Sequence, residues 1–146
     1  MRYLLVDAHS VIFAWPELRR IHQGRQESGR DELVRRLVLF QDASDYHVVA
    51  VFDGAGPSTT SVSAPEGIQV FYSSGKRTAD SVIERLCAKY GSEHDLTVVT
   101  NDLLESQTAT TFGALAVSVE TFLSWASEAE RETQRLIKKN RVKRPQ

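Results

Sequence analysis

The 146 residues are 41% hydrophobic and carry eighteen basic against nineteen acidic side chains, a net charge of −1, which suits one globular unit with one good core. So even a balance gives no whole-molecule field for or against a polyanion, and local charge has to decide that question. No run of about 18 apolar residues is present, Met1 leads directly into a core-like strand rather than a cleavable leader, and the single Cys87 has no disulfide partner or zinc-site companions; these features argue against export and membrane insertion and for a cytoplasmic protein.

Tyr3-Leu4-Leu5-Val6 is an apolar run that stops at Asp7, followed by Ala8-His9-Ser10. The pattern predicts a buried strand delivering Asp7 to the carboxyl edge of a sheet, where open α/β sheets bind their ligands. Val11 to Trp15 continue apolar, and Pro16-Glu17 predicts a short helix through Arg20. Residues 22–29 are polar and read as loop. Ser28, three residues before Asp31, resembles a capping box for an amphipathic helix carrying Leu33, Val34, Leu37, Val38 and Phe40 and ending near Ser44. Residues 46–52 are β-branched and apolar, a second buried strand, and they also end at an acid, Asp53.

Residues 54–67 are rich in Gly, Pro, Ser and Thr and read as a long loop. A third strand is expected over 68–72, then a turn with Lys76 and Arg77 into a helix capped by Thr78, with Asp80 in its first turn and Val82, Ile83, Leu86, Cys87 and Tyr90 as its buried stripe. Glu84, four residues after Asp80, shares the border of that stripe. Residues 96–100 predict a fourth strand, again followed by an acid, in Asn101-Asp102, and a helix through Thr111 on which Glu105 is expected to be an exposed acid. Gly113 breaks that helix, residues 114–119 form a fifth strand, and a long helix begins near Glu120 with Phe122, Leu123, Trp125 and Ala129 inward. Its end, about residues 127–146, changes from acidic to basic and provides a cationic helix and tail. The alternation predicts a three-layer α/β/α sandwich around a mainly parallel sheet of about five strands, all in a single domain over 1–146.

Asp7, Asp53 and Asp102 follow three strands of one parallel sheet, and Asp80 opens a helix beside them. Carboxylates brought together repel unless a cation neutralises them. Oxygen donors without cysteine or paired histidine ligands select Mg²⁺ or Mn²⁺, one ion or two, rather than zinc. Such ions support hydrolysis of phosphodiesters. Lys76 and Arg77, next to the amides that open the Asp80 helix, and the basic tail are placed to bind phosphate. Ser10 can exchange hydrogen bonds with substrate or acid, His9 can contact substrate, and Glu84, Asn101 and Glu105 are auxiliary candidates. Trp15 and Cys87 read as packing, and Arg19, Arg20 and Arg25 form a small basic patch.

The set Leu4-Leu5-Val6-Asp7, Val11-Ile12, Ala14-Trp15-Pro16-Glu17-Leu18, Val51-Phe52-Asp53-Gly54, Thr78-Ala79-Asp80 with Glu84, and Val98-Val99-Thr100-Asn101-Asp102 resembles the YacP-like NYN domains, which are PIN-like, metal-dependent ribonucleases. The resemblance extends from about Tyr3 to the last helix. It implies that Asp7, Asp53, Asp80 and Asp102 are the acidic positions, that RNA is the substrate, free or in a larger RNA–protein assembly, and that cleavage is endonucleolytic, with no organic cofactor. The family typically reads Asp-Gly-Tyr-Asn where this chain has Asp7-Ala8-His9-Ser10, a turn that is also similar to the Asp-Gly-His-Ser of flap-type nucleases. That departure bears on activity more than on fold. The alternative is a catalytically weakened RNA-binding or interaction module of the same fold.

Other chemistries on this scaffold are disfavoured by the first turn. An aspartate-nucleophile phosphatase needs an acid where His9 stands, and a metal-adhesion site needs serines at the positions of His9 and Val11. A dinucleotide site needs a glycine-rich turn that Ala8-His9-Ser10 does not supply.

Overall fold

The computed structural model describes residues 1–54, 62–63, 67–73, 78–92 and 94–143. Strand β1 (Arg2–Asp7) leads into three helices, α1 (Ala8–Ala14), α2 (Pro16–Gly24) and α3 (Gln26–Asp42), before β2 (Tyr46–Asp53). β3 (Val62–Ser63), β4 (Gln69–Ser73), α4 (Ala79–Tyr90), β5 (Asp95–Val99), α5 (Leu103–Thr111), β6 (Leu115–Val117) and α6 (Val119–Lys143) complete the chain order. In space the strands run β3-β4-β2-β1-β5-β6. Every neighbouring pair is parallel except β3 with β4, so the expected five-stranded parallel sheet carries a two-residue antiparallel strand on one edge.

Strand periodicity divides the core in two. Leu4 and Val6 of β1, with Val48, Ala50 and Phe52 of β2, face one layer, where they meet Leu18 of α2, Leu33, Leu37 and Phe40 of α3, and Val119 and Phe122 of α6. Leu5, Val49, Val51 and Val98 face the other layer, against Ala79, Ile83 and Cys87 of α4 and Ala109 of α5. These are the three layers expected from the alternation of elements. After β1 the chain builds outward through β2 and β4, then crosses back to add β5 and β6 on the opposite side. The carboxyl ends of β1 and β5 therefore border the point where strand order reverses, the usual place for a ligand in such sheets.

Several local expectations hold. The Thr78 side chain accepts the Ser81 amide at 3.2 Å and caps α4. On α6, Phe122 is buried, and Leu123, Trp125 and Ala129 pack on the same core. Among the described residues no helix is long and apolar enough to cross a membrane.

Two local expectations are corrected. Residues 22–29 are not a loop: α2 continues to Gly24 and α3 starts at Gln26, with extended backbone only at Arg25 (φ −154°, ψ 117°). Polar residues there form solvent faces of helices, and Arg25 rather than Ser28 stands at the N-cap of α3. The join is close enough that a Cβ at Gly29 would sit 2.6 Å from the His22 Cβ and 2.8 Å from its Cα. Tyr90, expected on the buried stripe of α4, is exposed, because the buried line runs through Ala79, Ile83, Cys87 and Gly91 at a spacing of four and Tyr90 stands beside it. The long loop over 54–67 lies mostly outside the described residues, as do Lys76, Arg77 and the final residues 144–146.

Candidate metal centre

Strand parity determines where Asp7 points. It shares the side of β1 that carries Leu5, so its carboxylate leaves the end of the strand on the α4/α5 face. Thr100, two residues past Val98, leaves β5 toward the same face. Its hydroxyl donates to Asp7 Oδ2 at 3.0 Å, and the Ser10 hydroxyl donates to the same oxygen at 2.7 Å. Asp7 is only 4% exposed. Two hydroxyls thus fix the carboxylate in the first turn after β1, and among the described residues its other oxygen carries no hydrogen bond.

Across from Asp7 stand Asp80 and Glu105. Each of the three residues offers a carboxylate oxygen, and these oxygens lie within 4.8 Å of one another. Asp80 comes from the first turn of α4, where the Thr78 cap fixes the start of the helix. Glu105 comes from the first turn of α5 and is 5% exposed, not the exposed helix acid expected from its position. Both Glu105 oxygens are buried without a hydrogen-bond partner among the described residues. Burial first, then the adjacent Asp80 carboxylate and the charge of Asp7, push the Glu105 carboxyl far above its ordinary range.

The other acids of the sequence reading stand nearby but outside this group of three. Asp7 pairs with Val51 across the sheet, so Asp53 lies two residues, about 7 Å, further along its strand. It is exposed, and its Oδ1 accepts the hydroxyl of Ser73 at 2.9 Å. Asp102 is the N-cap of α5: its Oδ1 accepts the amides of Leu104 at 2.9 Å and Glu105 at 3.2 Å. Asn101 is turned toward α6, accepting the Val119 amide at 2.9 Å and donating to Glu120 at 3.2 Å. Glu84 is exposed one turn after Asp80 and, with Asp80, Glu105, Cys87, Leu104 and Thr108, lines a cavity of about 150 Å³ between α4 and α5. His9 is exposed on α1, and Ser10 is half-buried against Asp7.

Sequence reasoning quoted Thr100 only as part of the motif before Asp102, with no role at the site, and expected Glu105, an auxiliary candidate, to be exposed. The alternation Val98, Thr100 on one side of β5 carried the signal for Thr100. For Glu105 the signal was hidden, because Asp102-Leu103-Leu104-Glu105 has the spacing of a capping box, in which a Glu reaches back to the cap amide. Here Thr100 Oγ1 accepts that amide, Asp102 N–H, at 3.0 Å, and Glu105 is released to turn inward.

Three carboxyl groups, two of them buried and one with no partner for either oxygen, fit a hard divalent cation. Such an ion would supply the missing partner for Glu105 and remove the repulsion at once. The cluster could hold a metal ion in this way.

A family model described as a YacP-like NYN domain matches residues 4–146. Protein YacP of Bacillus subtilis (strain 168) is 28% identical over 151 residues, which covers 99% of this chain and 86% of that protein. Among solved structures, a mutant form of Rae1 (YacP) from Bacillus subtilis superposes with a TM-score of 0.82 at 27% identity, covering 99% of this chain and 86% of that one. A second crystal structure of Rae1 (YacP) gives a TM-score of 0.80 at 29% identity over 95% of this chain and 81% of the other.

Proposed function

The chain belongs to the YacP-like NYN domain family, a family of PIN-like nucleases, and on that basis we propose that it is a divalent-metal-dependent endoribonuclease hydrolysing RNA phosphodiester bonds at the Asp7–Asp80–Glu105 cluster. The observation that supports this most is Glu105, a buried carboxylate with both oxygens unpartnered, directed at two further carboxylates at the reversal point of a parallel sheet. Mg²⁺ or Mn²⁺, one ion or two, would supply Lewis acidity toward the phosphodiester and lower the pKa of water.

The protein's own groups have separable tasks. Asp7 is held by Ser10 and Thr100 so that its second oxygen is presented without rotation. Asp80 and Glu105 complete the ligand set, and burial of Glu105 fixes its rotamer. Asp53 and Asp102 stand at neighbouring strand ends outside the group of three, where they would add negative charge around a bound cation and could accept from water it retained, with Glu84 further out. Ser10 and His9 meet the substrate at the first turn of α1. Lys76 and Arg77, just before the capped start of α4, neutralise phosphates along the strand, whereas the basic half of α6, with Arg131, Arg135, Lys138 and Lys139, runs past Tyr46 and residues 42–45 to the edge of the sheet opposite Asp7 and takes no part at this site. The reading includes a cytoplasmic location, in keeping with the buried free thiol of Cys87, and an RNA that is either free or part of a larger assembly.

A covalently closed RNA circle, which has no ends for an exonuclease, tests the proposal. Millimolar Mg²⁺ or Mn²⁺ is expected to linearise it and EDTA to stop the reaction. Retention of the circle with no cleavage in either metal would replace the enzyme by an RNA-binding module of the same fold.

A further inference from the structure

Helix α1 buries Val11 and Ile12 and turns His9 and Phe13, four residues apart, outward on one face. Phe13 is 50% exposed although the core lies on the opposite side of the same helix. Its ring is not free to wander. The His9 imidazole lies 4.5 Å away, centroid to centroid, and the Arg19 guanidinium of α2 stands 5.8 Å from the ring centre. A half-exposed aromatic surface is therefore flanked by an imidazole and a cation. It lies close to the acids: Asp7 is the residue at which α1 begins, and Phe13 is six residues on, about 9 Å along the helix axis. Ser10, between His9 and Phe13, bonds Asp7 itself.

We propose that His9, Phe13 and Arg19 form a stacking platform for one unpaired nucleobase of the RNA strand that enters the Asp7–Asp80–Glu105 site, with Arg19 meeting the adjoining phosphate. The proposal rests on the endoribonuclease reading and adds to it a substrate in which the base beside the cut is unstacked from its neighbours. The chemistry of the surface selects this occupant. A half-exposed aromatic ring binds a flat base regardless of its identity, the guanidinium standing over that ring suits the phosphate of the same nucleotide, and a duplex offers no free base face there. Position joins the platform to the acids, because one short helix carries both Ser10 and Phe13.

Three variants of Phe13 and one substrate change test it. Phe13→Ala removes the surface, and Phe13→Leu keeps an apolar side chain without a π face; the position is half exposed, and melting temperatures check folding. On a single-stranded RNA with a defined cut, both variants are expected to raise KM about tenfold, the scale of one lost base stack, with kcat within about twofold of wild type, while Phe13→Trp restores KM. Replacing nucleotides one by one with abasic ribose should locate one position near the cut where the wild type loses the same tenfold and Phe13→Ala loses nothing more. If the wild type cleaves but Phe13→Ala matches it, or if the variant loses as much as the wild type at every abasic position, the platform is wrong and the nuclease reading stands. If the wild type neither binds nor cleaves the RNA, the nuclease reading fails and the platform with it.

Discussion

Asp102 and Glu105 occupy one helical turn, and their carboxylates have opposite surroundings. Asp102 Oδ1 accepts the amide protons of Leu104 and of Glu105 itself, whereas the Glu105 carboxylate is buried with no partner and directed at Asp7 and Asp80. A cap holds the first turn of α5 in place, and that turn carries an acid into the interior. The cap is the reason a buried, repelled carboxylate can be kept where folding alone would not put it.

Replacing Glu105 with Gln is therefore expected to stabilise the metal-free protein. The amide is close to isosteric, carries no charge, and can donate toward the neighbouring carboxylates. In EDTA at pH 8 the variant should melt higher than the wild type by about 3 °C, a gain of about 1 kcal/mol for a chain this long. Millimolar Mn²⁺ should raise the wild-type melting temperature through binding to the native state, and raise that of the variant much less. A variant that melts lower in EDTA and gains as much from Mn²⁺ contradicts the assignment.

The same residue gives the protein a pH-dependent stability. Its carboxyl in the folded state sits far above the value near 4.5 of an ordinary Glu, raised first by burial and then by Asp80 and Asp7. Between those two values the native state holds a proton that the unfolded state has released, so stability falls as pH rises, by at most about 1.4 kcal/mol per pH unit. Urea unfolding in EDTA at a series of pH values from about 5 upward should show this decline in the wild type and a flatter curve in Glu105→Gln. Equal slopes in the two proteins would remove Glu105 as its origin.

Asp102 should separate by its two functions. Asp102→Ala removes the cap of α5 and is expected to cost about 1 kcal/mol of stability, while Asp102→Asn keeps an accepting oxygen and most of that stability. Both should lower cleavage, since neither retains the flanking charge. Denaturant midpoints and cleavage rates measured on the same preparations check this; an Asn variant with full activity would confine Asp102 to capping.

Much of the fold could be read from pattern, because its strands are short apolar runs ended by turns and its helices have one apolar face. Leu4 and Leu5 already specify a strand buried on both sides, and Thr78 is an N-cap by chemistry alone. What escaped was set by tertiary contact. Residues 22–29 look like loop because their polar side chains face solvent, and only the packing of Gly29 on His22 reveals two abutting helices. At the site, Asp7 and Asp80 were legible as an acid at a strand exit and an acid opening a helix. The burial of Glu105 was not, since Asp-x-x-Glu normally marks a capping box, and the competing acceptor on Thr100 is visible only once β5 is placed beside β1. The spread of Asp53 beyond the cluster depends on strand register, which no single strand encodes.

The helix join makes its own prediction. Gly29→Ala would force a methyl against the His22 Cβ and Cα at 2.6 Å and 2.8 Å, and one of those contacts is backbone. Helix propensity favours Ala over Gly by about 1 kcal/mol, but the overlap should outweigh it, for a net loss of about 1–3 kcal/mol in urea unfolding. A stabilised variant would show that α2 and α3 are further apart than described.

The central claim is that the carboxylate pinned by Ser10 and Thr100 supports metal-dependent cleavage of RNA. Asp7→Asn tests it most directly, because the amide retains an oxygen for both hydroxyls while losing the charge. Incubated with closed circular RNA in millimolar Mn²⁺, the wild type should linearise the circle, and Asp7→Asn should leave it closed while melting within a few degrees of the wild type in EDTA. Equal cleavage by the two proteins, or an intact circle with both, would contradict the account.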